Sequence, residues 1–145
     1  MARSSLRAAA PREGGTDAAL LVLRLTLGIL ILLHGLSKLP PPPAFVAGEL
    51  AKHNLPAILA YGVYVGEIVA PVLIIIGVWT RLGALLVVAN MVVAILLVHL
   101  PQLLTMHPEG GYALELQAFY LFTALALVLT GAGRFSVGGR YGPMN

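Results

Sequence analysis

The sequence contains no cysteine, and only 10% of its 145 residues are charged. Without cysteine, the chain itself cannot form disulfides, thiolate metal sites or iron–sulfur clusters, or carry out thiol–disulfide chemistry. An ordinary soluble domain carries about 25% charged residues, so this chain has too few charges to cover a surface that faces water. A hydrophobic content of 59% and a mean hydropathy of +0.91 agree. These features predict an integral membrane protein whose main surroundings are the lipid bilayer.

The few charges that are present are mostly positive. Nine Lys and Arg residues outnumber six Asp and Glu residues, and the isoelectric point is about 9.6. No basic patch with interleaved aromatic residues occurs, so we expect no nucleic-acid partner. Positive charges placed at the ends of membrane spans explain the excess better.

Four apolar runs follow one another along the chain. Each has the roughly 20 residues that a helix needs to cross about 30 Å of hydrocarbon. Backbone groups in lipid must pair within their own segment, and the alternation typical of barrel strands is absent. We therefore predict an all-α fold, a transmembrane four-helix bundle formed by residues 18–136. The predicted helices cover residues 18–39, 55–79, 82–101 and 112–132.

The segments outside the four runs are more polar. Residues 1–17 are predicted to form a flexible N-terminal tail, and residues 137–145 a C-terminal tail. The first tail resembles the start of a signal peptide, but four prolines rather than a small-residue cleavage site follow the first apolar run, so we expect it to be retained. Residues 44–53 have one apolar and one charged side, which favours a short interfacial helix.

The positions of the positive charges predict the topology. Six arginines lie in residues 1–17, in the turn between the second and third runs and in residues 133–145, whereas the opposite side holds Lys38 and Lys52. Because positively charged loops stay in the cytoplasm, we expect both termini there and a multi-pass protein of the plasma membrane.

Ionisable residues inside the apolar runs are the main candidates for function. Each costs roughly 2.5–3.5 kcal/mol on insertion scales, so each should face a partner or a wet cavity. Except for Arg24, the six ionisable candidates fall in the outer half of the predicted bundle, where they could form one polar pocket that handles protons or a polar head group. The candidates are Arg24, His34, Lys38, Glu67, His99 and Glu115, with Asn90 and Gln117 as weaker ones.

Small residues mark the predicted packing faces of the first two helices. Gly28 and Gly35 lie on the same face as Arg24 and Lys38, and Gly62 and Gly66 form a seam beside Glu67. Glycines at this spacing let helices approach closely. Pro71 removes the donor for the carbonyl of Glu67, which either bends the helix for packing or adds a free carbonyl to the pocket.

Several simpler interpretations remain open. Arg24 and Glu67 could form a structural ion pair, and Glu115 could pair with His34 or Lys38. Lys38 could extend to the interface. A haem held by His34 and His99, or a metal held by these two with His107 and Glu115, is not expected, because no H-x-x-x-H or H-E-x-x-H motif occurs.

These motifs together resemble the DoxX family, over about residues 19–136. The residues that carry the resemblance are Arg24-x-x-x-Gly28 and His34-Gly35-x-x-Lys38, Glu67-x-x-x-Pro71 and Gly77-x-x-Thr80-Arg81, Glu115, and Gly131-x-Gly133-Arg134-Phe135-Ser136. The family usually continues with Leu-Asp, where this chain has Val137 and Gly138, so any role of that acidic residue is absent here.

The resemblance implies a four-helix protein of the inner membrane. Some relatives are similar to the membrane subunit of a thiosulfate:quinone oxidoreductase. Others are linked with oxidative-stress complexes that contain superoxide dismutase and a sulfurtransferase. Wider relatives act as assembly or cargo factors. The leading hypothesis is a membrane component of a quinone-linked redox complex that receives electrons from a partner protein. A non-catalytic scaffold and a small solute or proton conduit are the alternatives, and a homo-oligomer is possible.

Overall fold

A computed structural model describes residues 13–40 and 43–145. Within these residues, five helices follow in order: α1 (Glu13–Leu36), α2 (Ala44–Lys52), α3 (Ala57–Ile76), α4 (Thr80–Gln102) and α5 (Glu115–Thr130). The described residues form no β-strand beyond one isolated bridge between Met106 and Tyr112. The prediction of an all-helical chain is thus confirmed. Most of the expected N-terminal tail, residues 1–12, lies outside the described residues, as do prolines 41 and 42.

Three of the helices are long and apolar enough to cross a membrane, namely Gly14–Leu36 of α1, α3 and α4. Helix α5 is equally apolar but has only 16 residues. It begins three residues later than predicted, because Tyr112 lies in a turn in which the His107 amide donates to the Gly111 carbonyl. It ends at Thr130 because Gly131 adopts a positive φ of 78°.

The turn between α3 and α4 explains why α3 ends at Ile76 rather than at the predicted residue 79. Gly77 has a φ of 76°, and its amide and that of Val78 both donate to the carbonyl of Leu73. This left-handed closure is a common helix terminator that favours glycine. Trp79 also has a positive φ, and α4 starts immediately afterwards at Thr80. The short turn makes α3 and α4 antiparallel neighbours.

The long helices pack around one apolar core. Helix α4 lies against both α3 and α5, and α1 lies against α3 and α5. The core residues are Leu27, Ile31, Ala70, Ile74, Ala84, Val87, Met91, Tyr120, Ala124 and Leu127. Many large apolar side chains on the outer faces remain exposed, among them Leu33, Phe119 and Phe122. Such extensive exposed apolar surface is suited to lipid rather than water.

Glycines set the close contacts between α1, α3 and α4. A Cβ atom at Gly28 would meet Ile75 and the carbonyl of Pro71, and one at Gly35 would meet the backbone of Glu67. A Cβ atom at Gly66 would meet Asn90. Gly62 differs from the predicted packing role, because nothing lies within 4 Å of the position its Cβ would take. Gly62 instead faces the cavity described below.

The two ends of the molecule differ. Helix α1 begins where α3 and α5 end, and we call this the terminal end; the opposite end is called the cavity end. At the terminal end the final residues pack back onto the helices instead of forming a separate tail. Buried Asn145 accepts from the Thr80 amide and donates to the carbonyls of Gly77 and Gly139. Asp17, which sequence reasoning placed in the flexible tail, binds Arg140 there.

Candidate functional site

A cavity of about 930 Å³ opens in the half of the molecule nearest the cavity end. Its walls come from α1, α2, α3, α4 and the start of α5, and most of its lining is apolar, including Ile31, Leu50, Val63 and Tyr120. A volume of this size matches a site for a small organic molecule. The polar side chains that line it are those of His34, Lys38, Glu49, Glu67, Asn90, His99 and Gln117.

The polar centre of the cavity is the carboxylate of Glu67, which is only 3% exposed. The Lys38 Nζ atom lies 2.6 Å from its Oε1 and 2.5 Å from its Oε2. The Asn90 side chain donates from Nδ2 to Oε1 over 3.2 Å. The side chain of Lys38 is a quarter exposed, so it connects a buried carboxylate to the outside of the bundle. We call these three residues the Glu67 cluster.

Local irregularity in α3 places Glu67 in this position. Residues Val65–Val69 form a π-helical turn, with Glu67 at its centre. Such turns insert one extra residue into a helix and occur frequently at functional sites. The carbonyl of Glu67, which has no i+4 donor because residue 71 is proline, lies against Gly35 of α1. The irregular turn and the covering glycine thus hold Glu67 at the boundary between α1, α3 and α4.

A second polar group lines the same cavity nearer the loop that joins α4 and α5. His99 ends another π-helical turn, Ile95–His99. Its Nδ1 lies 3.0 Å from the Gln102 Oε1, and its Nε2 lies 3.3 Å from the Gln117 Nε2. A carbonyl oxygen only accepts and an amide nitrogen only donates. With the amides oriented in this way, the neutral imidazole carries its proton on Nδ1, and Nε2 accepts from Gln117.

His34 lines the cavity from α1 but contributes differently. Its backbone carbonyl accepts from the Ser37 hydroxyl over 2.7 Å. Within the described part of the chain, its imidazole has no hydrogen-bond partner. An exposed imidazole at a cavity wall is accessible to a ligand.

Arg24 lies elsewhere, at the terminal end, and the interpretation that pairs it with Glu67 is wrong. Its guanidinium, which is 1% exposed, donates four hydrogen bonds of 2.9 Å to backbone carbonyls, and no carboxylate among the described residues pairs with it. The four acceptors are the carbonyls of Ile74, Ile75, Ala132 and Phe135. These groups lie at or just beyond the C-terminal ends of α3 and α5, where carbonyls lack partners and the helix dipole is negative.

Glu115 also lies outside the cavity, although it is at the cavity end. It is exposed as the first residue of α5 and lies beside Gly111. The alternative that pairs it with His34 or Lys38 is wrong, since Glu67 is the partner of Lys38. A carboxylate in the first turn of a helix is stabilised by the positive end of the helix dipole. That position accounts for Glu115 without any role in the cavity.

Sequence reasoning underrated two amides in the cavity wall. Asn90 and Gln117 ranked as weaker candidates because they carry no charge, yet each bonds a more prominent candidate. Their position within otherwise apolar runs was the available signal. His107 lies in the exposed loop after α4. Among the described residues, no three His, Asp or Glu side chains converge in a way that could hold a metal ion.

Long apolar helices with charges gathered in their interior define a multi-pass membrane protein. A family model described as DoxX matches residues 19–100, which is more than half of the chain. The chain therefore belongs to the DoxX family, as its motifs indicated. The match covers α1 to most of α4, so Glu115 and the motif at residues 131–136 lie beyond it. No curated protein and no solved structure matches the chain.

Proposed function

We propose that this protein is a four-span bundle of the inner membrane with both termini in the cytoplasm. Helix α5 would be about 24 Å long at 1.5 Å per residue, which is short for a span. However, α5 ends at Gly131, next to the start of α1 and the end of α3 at the terminal end. Helix α5 therefore extends alongside its neighbours towards the same end of the molecule. The arginines at that end, including Arg81 and Arg134, support a cytoplasmic location.

We propose further that the bundle is the membrane component of a quinone-linked redox or oxidative-stress complex, and that its cavity holds the quinone. The single observation that carries this proposal is the position of the Glu67 cluster in the wall of one large, mainly apolar cavity. A quinone needs an apolar slot for its ring and tail, together with hydrogen-bonding groups at its oxygens. The cavity combines these requirements.

The chemistry of quinone reduction defines what the residues must supply. Two electrons and two protons convert the two quinone carbonyls to hydroxyls. The chain has no cysteine and no recognisable haem or flavin motif, so in this proposal the electrons come from a partner protein that carries its own redox group. Glu67, Lys38, His34 and His99 can donate or relay the protons, because each can hold one and each lines the cavity.

Replacement of Glu67 by Gln tests this role. The amide keeps the size of the side chain but cannot exchange a proton at this position, so we expect quinone-linked turnover with the partner to fall at least about tenfold. The matched control is Glu115→Gln, which neutralises an exposed carboxylate at the same end and should leave turnover unchanged. Normal turnover in a folded Glu67→Gln protein would count against the proposal.

A second test examines the purified protein directly. Organic extraction of protein isolated in mild detergent should release quinone in a stoichiometric amount, and Glu67→Gln should retain less. An absorption spectrum of the same sample checks for haem, which would appear as a Soret band. Co-purifying proteins would identify the electron donor or show whether the chain forms homo-oligomers.

One observation favours a non-catalytic scaffold as the second candidate. Lys38 and Glu67 satisfy each other's charge, so the pair could serve only to lock α1 against α3. Replacing both members leaves no orphaned charge, so under that function the double variant Lys38→Met/Glu67→Gln would fold and support assembly of the partner complex normally. A redox or proton-conducting function would be lost in the same variant.

A further inference from the structure

Asn90 donates a hydrogen bond to Glu67, and neither charge nor burial alone accounts for this contact. It lies in the regular part of α4, lines the cavity, and directs its amide nitrogen to one specific oxygen of Glu67, Oε1. A carboxylate has two oxygens and about four acceptor positions. Lys38 contacts both oxygens, and Asn90 adds a second partner to Oε1 only. Among the described residues, Oε2 therefore has Lys38 as its one hydrogen-bond partner and keeps a second acceptor position.

Gly66 of α3 makes this arrangement possible. A Cβ atom at position 66 would lie 2.5 Å from the Asn90 Cβ, 2.6 Å from its Cγ and 2.8 Å from its Oδ1. No real side chain could occupy that space unless α3 and α4 moved apart. The Asn90 side chain thus lies flat on the backbone of the π-helical turn that also carries Glu67, which fixes the direction of its amide.

We propose that Asn90 is a positioning residue that orients the Glu67 carboxylate and makes Oε2 the oxygen that exchanges a proton with the ligand. This inference rests on the proposed function for the identity of the ligand, but the orientation itself follows from the contacts described above. An amide suits the task because it donates a hydrogen bond without carrying a charge or titrating.

Infrared spectroscopy of the Glu67 carboxylate provides the direct test. The Glu67 band is isolated by subtracting the spectrum of Glu67→Gln, and its frequency reports the hydrogen bonds to the two oxygens. We expect Asn90→Leu to shift this band. The matched control is Gln117→Leu, which removes an amide from the same cavity that bonds His99 instead, and it should leave the band in place.

Gly66→Ala provides an independent route to the same result. It keeps the amide of Asn90 but displaces it from Glu67, so we expect it to reproduce the band shift of Asn90→Leu. If Gly66→Ala does not fold, Asn90→Leu alone decides the question. An unchanged Glu67 band in folded Asn90→Leu protein overturns the proposal.

Binding of decylubiquinone separates this inference from the proposed function. Loss of the orienting hydrogen bond should weaken decylubiquinone binding by about two- to tenfold in Asn90→Leu, the range expected for one net hydrogen bond. If the band shifts but the unaltered protein does not bind decylubiquinone, Asn90 still positions Glu67 and only the quinone proposal fails. If decylubiquinone binds equally to both proteins and the band does not shift, the positioning role is overturned while the quinone proposal stands.

Discussion

At the scale of single residues, one buried cation, Arg24, and one partly buried cation, Lys38, are stabilised in different ways. Arg24 is surrounded by carbonyls at helix ends and has no counter-ion among the described residues, whereas Lys38 meets a full carboxylate. The planar guanidinium spreads several donors in a fixed fork, which suits four separate carbonyls, while the compact ammonium of lysine suits one strong acceptor. The two cations are therefore not interchangeable, and each serves a different end of the molecule.

The first prediction concerns Arg24. In Arg24→Lys, the ammonium can reach only some of the four carbonyls. Hydrogen bonds to charged groups contribute about 1.5–3 kcal/mol each. We therefore expect the free energy of unfolding to fall by at least about 2 kcal/mol. Unfolding in mild detergent, followed by circular dichroism, measures the loss. The control is Arg134→Ala, an exposed change that should stay within about 0.5 kcal/mol. Equal stability of Arg24→Lys and the unaltered protein would contradict the prediction.

The second prediction concerns the pair of Lys38 and Glu67. Lys38→Met leaves the Glu67 carboxylate buried without its cation, and we expect a loss of roughly 2–4 kcal/mol, somewhat less than for a fully buried pair because Lys38 is partly exposed. Adding Glu67→Gln removes the orphaned charge and should restore most of that stability. A double variant as unstable as Lys38→Met in the same unfolding assay would show that packing of the lysine stem, not the charge, is responsible.

At the scale of helices, packing in this protein depends on where a glycine meets backbone rather than a flexible side chain. Gly35 lies against the carbonyl group of Glu67, and Gly28 lies partly against the carbonyl of Pro71. Gly35 contacts the π-helical turn of α3, whereas Gly28 contacts the regular helix that follows it. Since backbone cannot move aside as a side chain can, these positions should tolerate even a methyl group poorly.

The third prediction compares two glycines. Gly35→Ala forces α1 away from α3 and should destabilise the protein by about 1–3 kcal/mol, as overpacking does elsewhere. Gly62→Ala points into open space in a helical conformation and should be neutral or stabilise by up to about 1 kcal/mol through helix propensity. Thermal unfolding of the two variants side by side measures the difference. A Gly35→Ala protein as stable as the unaltered protein would mean that the close contact at Gly35 does not limit packing.

The helices also show which features a sequence can reveal and which it cannot. Hydropathy identified the apolar helices, because lipid requires uninterrupted apolar runs, and depth along each run placed His34, Lys38, Glu67 and His99 at one end. Depth does not define the direction around a helix axis, so depth alone groups Glu115 with these residues although it does not line the cavity. Arg24 was assigned a carboxylate partner because its carbonyl acceptors come from residues 50 and more than 100 positions away. The π-helical turns and the contact of Gly66 with Asn90 could not be predicted from the sequence. Their one visible signal is a single polar residue in an apolar run.

At the scale of the whole molecule, the course of α5 determines the topology. Three of the described helices are long and apolar enough to span the membrane. The position of the C-terminal segment depends on whether α5 is a fourth span. If α5 crosses the membrane, the loop before it and the segment after it lie on opposite sides. If it does not, both lie on the same side, and the arginines near the end of the chain no longer share a compartment with Arg81.

The absence of cysteine makes the last prediction simple to test, since any introduced cysteine is the only one in the chain. Leu104, in the loop before α5, is 95% exposed, and Tyr141, after α5, is 93% exposed. We expect Leu104→Cys to react with a membrane-impermeant maleimide in intact cells from which any outer membrane has been removed. Tyr141→Cys should react only after the membrane is permeabilised, because a cytoplasmic thiol is protected by the bilayer. Reaction of both cysteines in intact cells, or of neither, would place α5 on one surface of the membrane and contradict the four-span topology. The reverse pattern would keep four spans but invert them, and the Glu67 cluster would then lie in the half of the bundle nearer the cytoplasm.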